Sequence, residues 1–294
     1  MIKRRSMLQK IRFAMLGVML VLGLFAFFQR SIMYPASRAE RLPVAAFPQL
    51  NQLFHTTTDL ELKTPDDLRI RGWHLQRNAQ PARHLWLLLH GNGGHRGGRT
   101  RWYQLASQLN CDVLAIDYHG YGDSQGKPTE TTLKHDARAA WNHARRTLRL
   151  QPDQIVIIGE SLGGAVAVHL ASETSRAGEI PKGLVLAGTF DSMLNAARHH
   201  FPLLPVRWLL LDRWESDRKI ADVACQILQF HGDRDDIVPL SLGQRLHQLA
   251  PGTSRSGAKK QFVLCPDAGH NDLLTREANS IARHLNALCN PQAR

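Results

Sequence analysis

Residues 155–172 read IVIIGESLGGAVAVHLAS. Ile155–Ile158 is a short, β-branched apolar run of the length expected for a strand buried on both faces. From Leu162 onward the run is alanine-rich and free of proline, which favours helix. Between them lies Gly159-Glu160-Ser161-Leu162-Gly163. A strand that passes into a helix through so tight a turn forces its central residue into strained dihedrals. Neighbours carrying a Cβ would collide there, and glycines at 159 and 163 remove the collision. The G-x-S-x-G spacing in this strand–turn–helix context predicts a hydroxyl, that of Ser161, held at the carboxyl end of a strand. The helix that follows favours negative charge developing at its N-terminus.

The same alternation extends in both directions. Apolar runs at Leu85–Leu89, Val113–Ile116, Leu184–Leu186, Ile227–Phe230 and Phe262–Leu264 read as buried strands. Helical stretches fall at about 98–109, 130–149, 162–175, 241–249 and 275–288. Repeated β-α-β units imply a mainly parallel sheet with helices on both faces. Upstream, Leu60–Lys63 and Leu68–Leu75 alternate apolar and polar residues around Pro65-Asp66-Asp67, an antiparallel hairpin that brings the sheet to eight strands. Ligands of such sheets bind at the carboxyl ends of the strands, so the informative residues are those that follow the apolar runs.

A serine hydroxyl is a weak nucleophile near neutral pH and needs a base held by a third group. The chain has 15 histidines, so position must select among them. His270 lies in Pro266-Asp267-Ala268-Gly269-His270-Asn271-Asp272, in the loop just past the last strand. After the preceding strand, HGDRDDIVP (231–239) offers three carboxylates, Asp233, Asp235 and Asp236. Asp191, after Leu184–Leu186, is an outside candidate for the acid and otherwise reads as a helix cap. His90 and His231 each end a strand before a glycine and read as structural hydrogen-bonding groups.

These blocks together resemble the α/β-hydrolase superfamily. The similarity is to its small membrane-anchored bacterial members, related to α/β-hydrolase-domain-containing proteins and distantly to prolyl-oligopeptidase-like serine peptidases. It covers roughly residues 55–290. His90-Gly91-Asn92-Gly93-Gly94 resembles the oxyanion loop of that family. Asp117-Tyr118-His119-Gly120-Tyr121-Gly122-Asp123-Ser124 resembles its DYRGYGxS turn, with His119 where an arginine is usual. Phe201–Pro205 and the HGDRDDIVP block also fit, whereas Cys225-Gln226 stands where relatives place a proline. The resemblance implies an α/β-hydrolase fold with Ser161 as nucleophile, His270 as base and Asp235, four residues after His231, as acid. It also implies an oxyanion hole formed by the N–H groups of Asn92 and Leu162. The activity implied is hydrolysis of carboxylic esters, with lipid, lysolipid or thioester substrates among them, through an acyl-enzyme. Peptide or amide hydrolysis is the alternative within enzymes, and a non-catalytic membrane-held binding protein the alternative outside them. No HExxH, P-loop or dinucleotide fingerprint is present, so no cofactor and no metal is expected.

The chain begins with a basic flank, residues 1–12, whose Lys3, Arg4, Arg5, Lys10 and Arg12 supply five of the charges behind a net +12. No acidic residue precedes Glu40. Residues 13–28 (FAMLGVMLVLGLFAFF) carry no charge, slightly short of a usual membrane span. A secretory signal peptide shares these features but needs small residues at its exit. Here the exit is Gln29-Arg30-Ser31-Ile32-Met33-Tyr34-Pro35, which favours an uncleaved transmembrane anchor. The basic flank then stays cytoplasmic, and the catalytic domain lies across the inner membrane, periplasmic in a Gram-negative cell. Residues 29–52 read as a tether with little regular structure, and 53–294 as the hydrolase domain with a lid-like insertion at about 190–220. The excess positive charge suits a solvated arginine-rich surface or anionic headgroups. Nothing in the sequence has the pattern of a nucleic-acid reader. Cys111, Cys225, Cys265 and Cys289 are scattered, without a zinc or redox spacing.

Overall fold

The computed structural model of the chain describes residues 2–80 and 82–290. Eight strands form one sheet: β1 (Thr56–Lys63), β2 (Arg69–Gln76), β3 (Leu85–Leu89), β4 (Asp112–Ile116), β5 (Ile155–Glu160), β6 (Gly183–Ala187), β7 (Gln226–Gly232) and β8 (Gln261–Cys265). Their spatial order is β1-β2-β4-β3-β5-β6-β7-β8. β1–β2 and β2–β4 pair antiparallel and every other pair is parallel, so the mainly parallel sheet with an antiparallel start is as the sequence predicts.

The period-2 pattern of the strands divides the core into two layers. Leu85, Leu87, Leu89, Leu114, Ile116, Ile155, Ile157, Leu184 and Ile227 face one set of helices. Trp86, Leu88, Val113, Val156, Ile158, Val185, Leu228 and Phe230 face the other. In register, Leu87 sits between Leu114 and Ile157, and Leu184 between Ile157 and Ile227. Each such side chain, fully buried, contributes about 1.5–3 kcal/mol. β1 and β8 are the edge strands, and Leu264 of β8 is exposed.

Helix α1 runs over Ile2–Met33, five residues past the apolar stretch. Its segment Arg12–Met33 has a mean hydropathy of 1.9. Among the described residues it is the one helix long and apolar enough to cross a membrane. Residues 29–52, expected as a tether, are instead ordered against the body of the protein. Gln29, Met33, Tyr34, Leu42, Val44 and Leu50 are buried. Isolated parallel bridges join Ala36 to Gly94 and Arg38 to Gly122. The reason is long-range: the partners of this segment lie near residues 94, 122 and 209–214, and local composition does not reveal them. The predicted 130–149 helix is α-helical only over Glu130–Asn142 and widens into a π turn over His143–Thr147.

His119, the departure from the usual arginine, is buried against Asp136. Its Nδ1 is 2.5 Å from Asp136 Oδ1 and its backbone N–H donates to Oδ2 at 2.8 Å, while Nε2 is 3.3 Å from Asp66. Burial works against the imidazolium, but the hydrogen bond and charge of Asp136, then of Asp66, outweigh it and raise the His119 pKa. Burial likewise raises that of Asp136, against the opposing pull of His119. A histidine whose folded pKa lies above its unfolded value of about 6.5 stabilises the fold fully below that pH. The contribution is lost as pH rises through the folded value. The share of the melting temperature that His119 supplies is therefore expected to fall as pH rises above about 6.5, so that the difference between wild type and His119→Arg changes with pH over that range. Thermal melts of both proteins across the range check it.

Candidate active site

β5 delivers Ser161 into the turn as its glycine spacing requires. Ser161 has φ 52° and ψ −117°, in the region L-residues avoid. A Cβ on Gly159 would lie 2.4 Å from the Gly163 carbonyl oxygen, and one on Gly163 would lie 2.1 Å from that of Leu89. The serine is pinned from the β6 side: its N–H donates to Ala187 O at 2.9 Å, and Thr189 Oγ1 donates to its carbonyl at 2.8 Å. Gly163→Ala drives a methyl into backbone that cannot move aside. The expected cost is about 3 kcal/mol, or roughly 6–10 °C in melting temperature, read by calorimetry.

The sheet brings together the three side chains selected from the sequence. Ser161 Oγ is 3.0 Å from His270 Nε2, and His270 Nδ1 is 2.8 Å from Asp235 Oδ2. With Nδ1–H donating to the carboxylate, the Nε2 lone pair faces the serine hydroxyl. The other oxygen, Asp235 Oδ1, accepts the N–H groups of Ile237 (3.1 Å) and Val238 (2.7 Å), so the carboxylate is held at both ends. Asp233 and Asp236 point to solvent. Asp191 is buried but accepts from Ser192 N–H, the Asn195 amide and Arg245. It is not the helix cap: Ser192 is, with its hydroxyl accepting from Asn195 N–H. His231 sits against the loop that carries Asp235, its Nε2 2.9 Å from Val238 O. His90 bridges the 90–94 loop to Asp117.

The 90–94 loop passes close over the serine, since a Cβ on Gly91 would come within 3.3 Å of Ser161 Cβ. Among the described residues, neither Asn92 N–H nor Leu162 N–H donates to a protein acceptor. The Asn92 side chain donates to the Met33 carbonyl of α1 at 3.4 Å.

Beside Ser161, Asn92 and Leu162 lies an apolar cavity of about 170 Å³. Phe190, Met193 and Phe201 of the lid-like insertion line it. The opposite wall, which the sequence reading did not anticipate, is Phe25, Ile32 and Met33 of α1. The one local hint is Gln29, a polar residue directly after an apolar run.

A family model described as "Alpha/beta hydrolase family" matches residues 86–254. An uncharacterized protein of Mycobacterium tuberculosis is 35% identical over 225 residues, which is 76% of this chain and 76% of its own length. Lysophosphatidylserine lipase ABHD12 of Danio rerio is 33% identical over 249 residues, covering 74% of this chain and 64% of its own. Among solved structures, an esterase of Pyrococcus furiosus superposes with a TM-score of 0.66 at 18% identity, covering 87% of this chain and 97% of that one. An alpha-beta hydrolase of Vibrio vulnificus does so at 0.64 and 21%, covering 84% and 96%. At such identities the two solved structures speak for the fold.

Proposed function

The chain belongs to the alpha/beta hydrolase family, and on that footing we propose that it is a membrane-anchored serine esterase acting on acyl lipids. Ser161 is the nucleophile, His270 the general base and Asp235 the orienting acid. The observation that carries this reading is the unbroken line from Asp235 through His270 to the Ser161 hydroxyl, opening on an apolar cavity.

His270 Nε2 takes the hydroxyl proton as Ser161 Oγ attacks the ester carbonyl. Negative charge on the carbonyl oxygen meets the N–H groups of Leu162 and Asn92, each such donor being worth about 3 kcal/mol in the transition state. Asp235 stabilises the imidazolium that forms. His270 then protonates the departing alkoxide, the alcohol leaves, and Ser161 carries the acyl group in the cavity. Water attacks next, with His270 again as base, and the free acid is released.

The relatives named as lysophosphatidylserine lipases make single-chain lipid esters the first natural substrates to test. The α1 helix holds the chain in the membrane with its basic end inside, and the catalytic domain lies on the far side. Hydrolysis of p-nitrophenyl esters from acetate to palmitate by the full chain tests the reaction, and labelling by a fluorophosphonate tests the nucleophile. Folded protein that neither hydrolyses an ester nor takes the label would sink the proposal and favour a non-catalytic binder. Activity confined to aminoacyl or peptide amides would favour a peptidase.

A further inference from the structure

The cavity wall formed by α1 raises the question of where the mouth of the site lies. The uncharged run of α1 starts after Arg12. At about 1.5 Å of rise per residue, a hydrocarbon layer of about 30 Å ends some 20 residues later, near Ile32. Phe25, 13 residues past Arg12, then lies about 10 Å inside the far boundary. The ring of Phe201, in the insertion, packs edge-on against that of Phe25 with centroids 5.4 Å apart. A residue of the catalytic domain thus touches α1 below the level at which the helix leaves the acyl layer.

The surroundings of that contact have the chemistry this depth requires. Gln29 is only 3% exposed, and its amide is fully paired. Its Nε2 donates to Ala26 O and Leu209 O, and its Oε1 accepts Leu211 N–H at 2.8 Å. Arg30 and Tyr34 both donate to Asp212, at 3.1 Å. Irregular backbone and polar side chains at membrane depth persist only where protein satisfies them, and here it does. Large apolar side chains face outward here, with the exposed Arg207 among them: Leu203 is 96% exposed, Trp208 81% and Leu211 61%. Ile32, which lines the cavity, and Phe28 are exposed beside them. Residues 193–211 include Arg198 and Arg207 and no acid, which suits an anionic headgroup layer.

We infer that residues 201–211 dip into the membrane that holds α1, and that the acyl chain of the substrate enters sideways from the bilayer, between α1 and residues 201–211 past the Phe25–Phe201 contact, to reach Ser161. The occupant of the apolar face is the lipid bilayer itself. This rests on the esterase reading for the entry route, though not for the docking. A soluble ester needs neither.

Two measurements on the full chain, reconstituted into phosphatidylcholine–phosphatidylglycerol vesicles, test it. In the first, a polarity-sensitive fluorophore is attached at Leu203→Cys, the native cysteines being buried. Emission shifted to the blue and quenched by nitroxide-labelled lipid is expected. Emission that stays water-like and open to aqueous iodide overturns the docking, and would leave the face to a protein partner. In the second, the Leu203→Asp, Trp208→Asp double variant is compared with wild type on two esters. Hydrolysis of a long-chain lysolipid held in the vesicles is expected to fall at least tenfold, while p-nitrophenyl acetate hydrolysis stays within twofold. Equal loss on both esters, or on neither, overturns the entry route. If wild type cleaves neither ester while the label reports burial, the esterase reading has failed and the docking stands.

Discussion

Ser161→Ala is expected to remove all labelling by a fluorophosphonate and to lower kcat on a p-nitrophenyl ester by about 10⁴–10⁶-fold, with the fold intact. The size follows from the proposed mechanism, in which His270 and Asp235 activate one hydroxyl, so that deleting it leaves only the proposed oxyanion donors and the cavity. Comparing two variants separates chemistry from strain. Ser161 holds a φ of 52°, which alanine shares and glycine tolerates. Ser161→Gly is therefore expected to be equally inactive yet about 1 kcal/mol more stable than Ser161→Ala, a difference denaturant melts resolve. Residual activity near wild type in either variant would remove Ser161 from the mechanism.

Asp235→Asn is expected to lower kcat by about 10⁴-fold while leaving KM little changed. The asparagine oxygen can still accept Ile237 and Val238 N–H, so the loop is kept. Its amide then donates where a carboxylate accepted, and the proton of the imidazole moves to Nε2, which can no longer receive the serine proton. Asp236→Asn, one residue on and exposed, is the control and should retain activity within twofold. Were Asp236→Asn the damaging change, the assignment of the acid within HGDRDDIVP would be wrong.

The sheet was legible because its strands are written as short runs of Ile, Val and Leu separated by helix-forming stretches. The observed strands match those runs to within a residue or two, except β1, which starts four residues earlier in Thr56-Thr57-Thr58-Asp59. Ser161 was legible because its turn demands glycines, and steric demands leave a local record. Choosing Asp235 over Asp233 and Asp236 required the resemblance, since all three share one loop; the structure separates them by burial. The residues lost to the sequence are those whose meaning depends on distant partners. Gln29 and Arg30 read as an ordinary polar flank because Leu209, Leu211 and Asp212 lie about 180 residues away. Ser192, not Asp191, caps its helix, a one-residue difference within the reach of boundary ambiguity.

The clamp between α1 and the insertion also sets a timetable. α1 is made early and its partners at 209–214 much later, separated by some 180 residues. At synthesis rates of about 5–20 residues per second, roughly 10–40 s pass between the two. If α1 anchors the chain as proposed, Gln29, Arg30 and Tyr34 sit through that interval at the edge of the membrane without the groups that will satisfy them, and the 90–94 loop forms against a helix end not yet fastened. One wall of the cavity is then made while the other is still to be translated, so the complete pocket is among the last features of the nascent chain to assemble.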